Sequence, residues 1–386
     1  MKPLPRKHLI GKFRQTIAEN SLLGVINCLR SSASLTGAND GNAKREPTPI
    51  EFVRLKATKQ SEWHHRESSI VIDLLAPFRG NGYGTEAINC GLFEVTNGVY
   101  QVRGFDISNM TLVEGKTGVI VLDVLASTEC AAAALGFTAA TAATDHGCGL
   151  GMAASSGTTI VVPPNDTIDA TGDERIIDGV RLVFQMVPET EAPCEINVFF
   201  PDQRAVYIAE CATHTMHNVI TLRGAQVRDA KKWSKHLDET LDLYGHDSDV
   251  ILSGHHWPTW GHENIVKFIS NQRDLYGYMH DQTVRLMNKG MSGIEIAEQL
   301  QLPPSLQQEW YAGEYYGCLS QNVKGIYQRY MTWFDGNPAN IWKHPPKEEG
   351  KRYVDCMGGV QAVLEKAKDN ILTLRAAQLL TVYIYI

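Results

Sequence analysis

The chain has 386 residues, 43% hydrophobic and 20% charged, a balance that excludes a disordered polymer and leaves ample length for a core. Its net charge of −7 gives no global pull toward nucleic acid or anionic lipid. The eight cysteines are scattered, with no CxxC pair, which speaks against a disulfide framework or a zinc ribbon and for reduced, mostly buried thiols.

Residues 1–38 carry Lys2, Arg6, Lys7, Lys12, Arg14 and Arg30 against Glu19, with serines at 31–34. That is either a poorly ordered basic leader or a transit-peptide-like one, so the cytoplasm is expected and a mitochondrial address stays open. Residues 1–90 are weakly patterned, with a loop-like stretch at 37–46 and a short apolar run, Ile70–Leu75. Leu92–Arg103 and Gly118–Val124 read as strands around the turn Glu114–Thr117. A helix starts near Ser127 and enters a low-complexity Ala/Thr tract at 131–144. Strand patterns return at Thr159–Val162, Val180–Val187, Ile196–Phe200, Ala205–Ala209 and Asp249–Leu252. Ala230–Tyr244 is amphipathic, with Trp233, Leu237, Leu241 and Tyr244 at helical spacing. After His262 the chain reads as helical: Ile265–Asn288, Ile294–Leu300, Ser305–Trp310 after a Pro303-Pro304 break, Asn322–Phe334 and Arg352–Asp369. No apolar run reaches the roughly 18 residues a membrane span needs.

Glu191 lies just past the run Val180–Val187, Glu210 ends Ala205–Ala209, and His255 and His256 follow Asp249–Leu252. Strand ends hold ligands rigidly while facing a cleft, and two carboxylates with an imidazole suit zinc. A solvated strand-end cap explains each residue equally simply. After Glu210 come His214, His217, Asn218 and Arg223; an amide and a guanidinium beside a cation suit an anionic head group, since arginine offers a planar fork to sulfate oxygens. A polar helix start is the plainer alternative. Residues 292–305 faintly suggest a helix-turn-helix, but 290–323 contain no Lys or Arg, so nucleic acid is not an expected partner.

QVRGFDISNMTLVEG (101–115), TEAP (190–193), AECATHTMHN (209–218), TLRGAQVRDAKKW (221–233), SGHHWPTWG (253–261), QRDLYGYMHDQTVRLMNKG (272–290), LPPSL (302–306) and YQRYMTWFDGNPAN (327–340) occur in this order. Together they resemble the alkyl-sulfatase branch of the metallo-β-lactamase superfamily, over about 91–135 and 147–378. The resemblance implies an αββα sandwich over 91–261, an all-α dimerisation domain over 262–378 and an apolar tail at 379–386. It also implies a homodimer and hydrolysis of linear primary alkyl sulfates. In that family a zinc pair is held by an HxHxDH motif, two glutamates and a further histidine. By resemblance the glutamates are Glu191 and Glu210, the histidine is His255, and the sulfate is gripped by Asn218 and Arg223 while an activated water attacks the ester.

The HxHxDH motif is missing. Asp145-His146 stands near its place, but in that register the leading histidines are Thr141 and Ala143. A second register fits better: GLG (149–151), SSGT (155–158) and VPP (162–164) resemble a block well after the motif, so several dozen residues are deleted near 136–147 and the sandwich is incomplete. The family's sterol-carrier-like domain is not matched either. Weak or partial zinc occupancy and impaired hydrolysis follow as expectations. The alternative is a non-catalytic, degenerate or truncated paralogue, or an incomplete gene model, acting through its dimerisation helices.

Overall fold

In the computed structural model, which describes residues 25–26, 91–134, 157–159 and 164–370, Asn97-Gly98 divides the predicted strand 92–103 into a hairpin. Its arms are β2 (Gly91–Thr96) and β3 (Val99–Arg103), and Gly98 takes φ 76° at the turn. An Asn-Gly pair between apolar runs is the strongest local hairpin signal. A strand that the sequence reading passed over, β4 (Met110–Glu114), follows, then β5 (Val119–Leu122). A two-residue piece, β1 (Val25–Ile26), pairs parallel with β5, so the first sheet runs β1-β5-β4-β3-β2. Helix α1 (Thr128–Ala134) starts where the Ser127 hydroxyl accepts the Cys130 amide at 3.2 Å.

The second sheet opens with another unanticipated strand, β6 (Glu174–Ile177), which turns into β7 (Val180–Met186). Asp178 and Gly179 both take positive φ, 49° and 80°, as a two-residue hairpin turn requires. Then come β8 (Ile196–Phe200), β9 (Ala205–Tyr207), β10 (Val250–Leu252) and β11 (Thr259–Trp260), in the spatial order β11-β10-β9-β8-β7-β6. The crossover from β9 to its parallel neighbour β10 contains α2 (Ala230–Thr240), which continues as a π turn, Leu241–Gly245. Asp229 caps α2 by accepting the Lys231 and Lys232 amides at 3.0 Å each. Helix α3 (His262–Met287) packs beside it.

Side-chain alternation explains the layering. Tyr207 and Leu252 point between the sheets, with Val99, Ile120, Phe184 and Phe200; Val206 and Ile251 point the other way, onto Trp233, Leu237 and Phe268. The outer face of the first sheet, with Val102, Leu112 and Val121, is covered by Cys130 and Ala131 of α1. The order is helix, sheet, sheet, helix: the expected αββα sandwich. The turn before β5 is stitched to the turn before β7, because Asp178 accepts the Thr117 and Gly118 amides at 2.8 and 2.6 Å.

The shorter helices are α4 (Gly293–Gln299), with a Ser292/Glu295 capping box, α5 (Pro304–Gln307) and α6 (Leu319–Met331). The prolines at 303 and 304 begin α5 rather than only ending its predecessor, since proline suits the first helical turn. The chain forms two compact units, Met1–Arg329 and Tyr330–Ile386. In the second, the predicted helix 352–369 is two helices, α7 (Pro346–Cys356) and α8 (Val360–Asn370), broken at Gly358-Gly359, whose φ values are 93° and 90°. Of the five described cysteines, all free, only Cys211 is buried, so the expectation of mostly buried thiols fails: Cys194 and Cys356 sit on exposed turns or helix ends. Ile70–Leu75, Asp145-His146, most of the Ala/Thr tract and the tail at 379–386 lie outside the described residues.

Candidate metal centre

Because β9 and β10 run parallel and side by side, the segments leaving them emerge at one edge of the sheet. Glu210 follows β9 and His255 follows β10. Glu191 sits in the loop from β7 to β8. Each lies within two residues of a non-glycine residue at positive φ: Glu189 at 63°, Ala209 at 48° and His256 at 59°. Such backbone is costly and persists where surrounding contacts over-determine it, often at functional sites.

Glu210 is the hub. Its Oε1 lies 3.1 Å from His255 Nε2 and its Oε2 lies 3.2 Å from His217 Nε2. The other ring nitrogen of His255, Nδ1, is 2.8 Å from the Ile107 carbonyl. A carbonyl only accepts, so Nδ1 carries the proton and a neutral ring turns a lone pair toward the carboxylate. Only a proton or a cation between them makes that contact attractive. A ring oriented by a backbone carbonyl is the usual arrangement of a metal-ligating histidine. Burial, reinforced by the nearby Arg228, holds His217 below its ordinary pKa against the opposing pull of Glu210, which favours the neutral, ligating form. Ligand atoms of Glu191, Glu210 and His217 all lie within 4.8 Å of one another.

The first sheet supplies orientation. Asn109 donates its amide N–H to Gly254 O at 2.7 Å and its side-chain amide to His256 O at 2.5 Å, and Gln101 Nε2 donates to Ser253 O at 3.0 Å. On the other flank, Asn322 of α6 donates to His217 O at 2.9 Å and accepts the Val219 amide at 2.7 Å. The 313–317 segment pairs with the same stretch: Met216 N–H donates to Gly313 O at 2.9 Å and Gly317 N–H to Met216 O at 2.8 Å. A Cβ on Gly317 would stand 2.5 Å from the His217 carbonyl carbon, so only glycine fits.

The sequence did not single out Arg228. It is buried; it ion-pairs with Glu191, donates to Glu191 O and Asn218 O at 2.6 Å each, and also contacts Asn218 Oδ1. Arg223, assigned to sulfate by resemblance, is exposed on the loop that follows Thr221. The structure thus brings Asn218 together with Arg228 and places Arg223 at the surface. Glu191, Glu210 and His255 gather around the hub, joined by His217, which lay unassigned inside the quoted HTMHN segment. Glu195 also escaped notice. Burial first, then the charge of Glu191, pushes its carboxyl up to about 7.

One finding from comparison bears directly on this arrangement. The chain is 39% identical to a linear primary-alkylsulfatase of Pseudomonas sp, over 72% of this chain and 52% of the relative. Over most of its own length the chain is similar to alkyl sulfatases. It is 38% identical to the alkyl/aryl-sulfatase BDS1 of Saccharomyces cerevisiae, over 72% of this chain and 54% of that one. Residues 292–382 match the alkyl sulfatase dimerisation family. Among solved structures, the stereoselective inverting sec-alkylsulfatase Pisa1 from Pseudomonas sp. superposes with a TM-score of 0.72 at 31% identity, covering 78% of this chain and 59% of that one. The chain spans about half the length of the curated relatives it matches.

The chemistry of the donor set decides what metal content fits. Glu191 is paired with Arg228, and Glu195 feels the charges of both Glu191 and Glu210, so the cluster carries an acidic surplus that a divalent cation would offset. Two carboxylates and one imidazole, those of Glu191, Glu210 and His217, lie close enough together to suit one ion, with His255 against the other oxygen of Glu210. They do not suit a pair, because no HxHxDH segment exists to complete a second coordination shell.

Proposed function

We propose that this chain is an alkyl sulfatase-like protein with a half-built metal centre. It binds at most one divalent ion, zinc by its donor chemistry, and its hydrolysis of linear primary alkyl sulfates is absent or severely reduced. The observation that carries the reading is the Glu210 hub: one carboxylate between His217 and His255, beside Glu191, with the HxHxDH half of the site missing. The alignment with the Pseudomonas relative supports it. That alignment runs over 353 residues although it takes in only 72% of this 386-residue chain, so several dozen positions of the relative have no counterpart here.

A divalent ion held at this hub would supply Lewis acidity and lower the pKa of water. Glu210 and His255 would then face it in the geometry already set by the Ile107 carbonyl. Asn218 would present its amide to a sulfate oxygen. Arg228 already neutralises Glu191, and its guanidinium, rather than the exposed Arg223, is the cation beside Asn218. The test is sulfate release from submicellar dodecyl sulfate with added zinc. Turnover at or below about one-thousandth of a full family enzyme is expected, a loss of roughly 4 kcal/mol of transition-state stabilisation. Robust turnover would refute the reading. Zinc content after purification separates the alternatives: two ions per chain marks a working enzyme, one marks the half-site, and none marks a non-catalytic paralogue. The last is favoured by one observation, the match to the dimerisation family over 292–382.

A further inference from the structure

We propose that Glu195 is a positioning residue that sets the spacing of Glu191 and Glu210 by holding the main chain of both their segments with one buried carboxylate. The inference rests on the half-built metal centre proposed above and deepens it. Glu195 is 3% exposed. Its Oε2 accepts the Thr190 hydroxyl at 2.7 Å, the Glu191 amide at 3.0 Å and the Ala192 amide at 3.2 Å. Its Oε1 accepts the Glu210 amide at 2.9 Å. One oxygen therefore serves the β7–β8 loop and the other serves the segment after β9, and each bond lands on or beside a metal-donor residue.

Packing alone does not account for this choice. A third carboxylate buried beside two others is unfavourable, and a neutral side chain of similar volume would avoid the repulsion. Only a carboxylate, however, has acceptors on both oxygens and no donor to turn against the four groups facing it. Glutamine keeps the size but puts an NH2 where one oxygen stood. The amide oxygen will serve the three donors from 190–192, and the NH2 will then face the Glu210 N–H. The Glu210 tether is lost while the fold's apolar contacts stay unchanged.

The test uses the full chain and Zn2+ as the probe. Calorimetric titration of Glu195→Gln is expected to show zinc affinity about 10–100-fold below the natural chain, as for other residues that orient metal ligands. Its circular dichroism should be unchanged. Amide exchange read by NMR is expected to accelerate at least about tenfold at Glu210, since a tethered buried amide exchanges only through local opening. Glu195→Asp keeps the charge but is one methylene too short to reach both segments, and should also loosen Glu210; it serves if the glutamine variant does not fold. Unchanged zinc affinity in folded Glu195→Gln, when Glu191→Gln loses binding, overturns the positioning role. If the natural chain binds no zinc, the metal reading fails separately, and amide exchange alone decides: unchanged protection at Glu191, Ala192 and Glu210 overturns the proposal, and lost protection upholds it.

Discussion

The two sheets of the sandwich do different work. The second is covered on its outer face by α2 and α3, with Trp233 stacked on Tyr276 at a 4.4 Å ring separation, and its strand ends deliver Glu191, Glu210 and His255. Among the described residues, the first sheet has only α1 over its outer face, and it contributes acceptors and donors, Ile107, Asn109 and Gln101, that orient what the second sheet presents. One sheet holds the chemistry and the other aims it.

The sharpest way to break the comparison is by core truncation. Trp233→Ala is expected to cost about 3–5 kcal/mol in urea unfolding, because a large ring leaves a cavity and the Cys211 carbonyl loses its 2.7 Å donor. Leu112→Ala, under the thin outer layer of the first sheet, should cost about 2 kcal/mol, the low end for such changes. Equal losses would show that the two sheets bear load alike. Next in size is His214, buried among Trp257, Phe268 and Trp310 on the second sheet's side, where burial pushes its pKa down to about 3. The unfolded chain titrates this group near 6.5 and the folded one near 3, so the unfolded state binds the extra proton between those values. Stability should therefore fall as pH drops through that window, by up to about 1.4 kcal/mol per pH unit from this group. His214→Phe should flatten that slope in a pH series of unfolding midpoints. Gly317→Ala is expected to cost about 1–3 kcal/mol, since its methyl meets main chain rather than a movable side chain. The smallest effect is at the stitch between the sheets: Asp178→Ala should cost about 1 kcal/mol in the same assay. A loss several times larger would mean that the stitch, not the shared apolar layer, holds the sheets together.

The parts legible in the sequence are those whose signal is local. Trp233 and Leu237 repeat at helical spacing, and both are fully buried in α2. Glu191, Glu210 and His255 each follow an apolar run, and each run is a strand or contains one. Strand β4 was missed because Met110–Glu114 is buried at four of its five positions and lacks alternation, and β6 because Glu174–Ile177 is half charged. His217, Arg228 and Glu195 were illegible for another reason. They lie on loops without periodicity, and the contacts that define them, His217 to Glu210, Glu195 to Glu210 and Arg228 to Glu191, join residues 7, 15 and 37 positions apart that only the folded sheet brings together. Arg228 could have been found by asking which cation inside TLRGAQVRDAKKW precedes the cap Asp229, since a residue next to a helix cap has a fixed direction.

Gly317 belongs to the stretch matched to the alkyl sulfatase dimerisation family, yet its missing side chain is what lets 313–317 lie against His217 and Asn218. At that seam a stretch matched to the dimerisation family touches a proposed ligand segment. A partner molecule that displaced residues 313–317 by even a few tenths of an ångström would carry the imidazole of His217 with it, so the metal centre should report on assembly. Zinc affinity that varies with protein concentration would be the signature of that mechanical link.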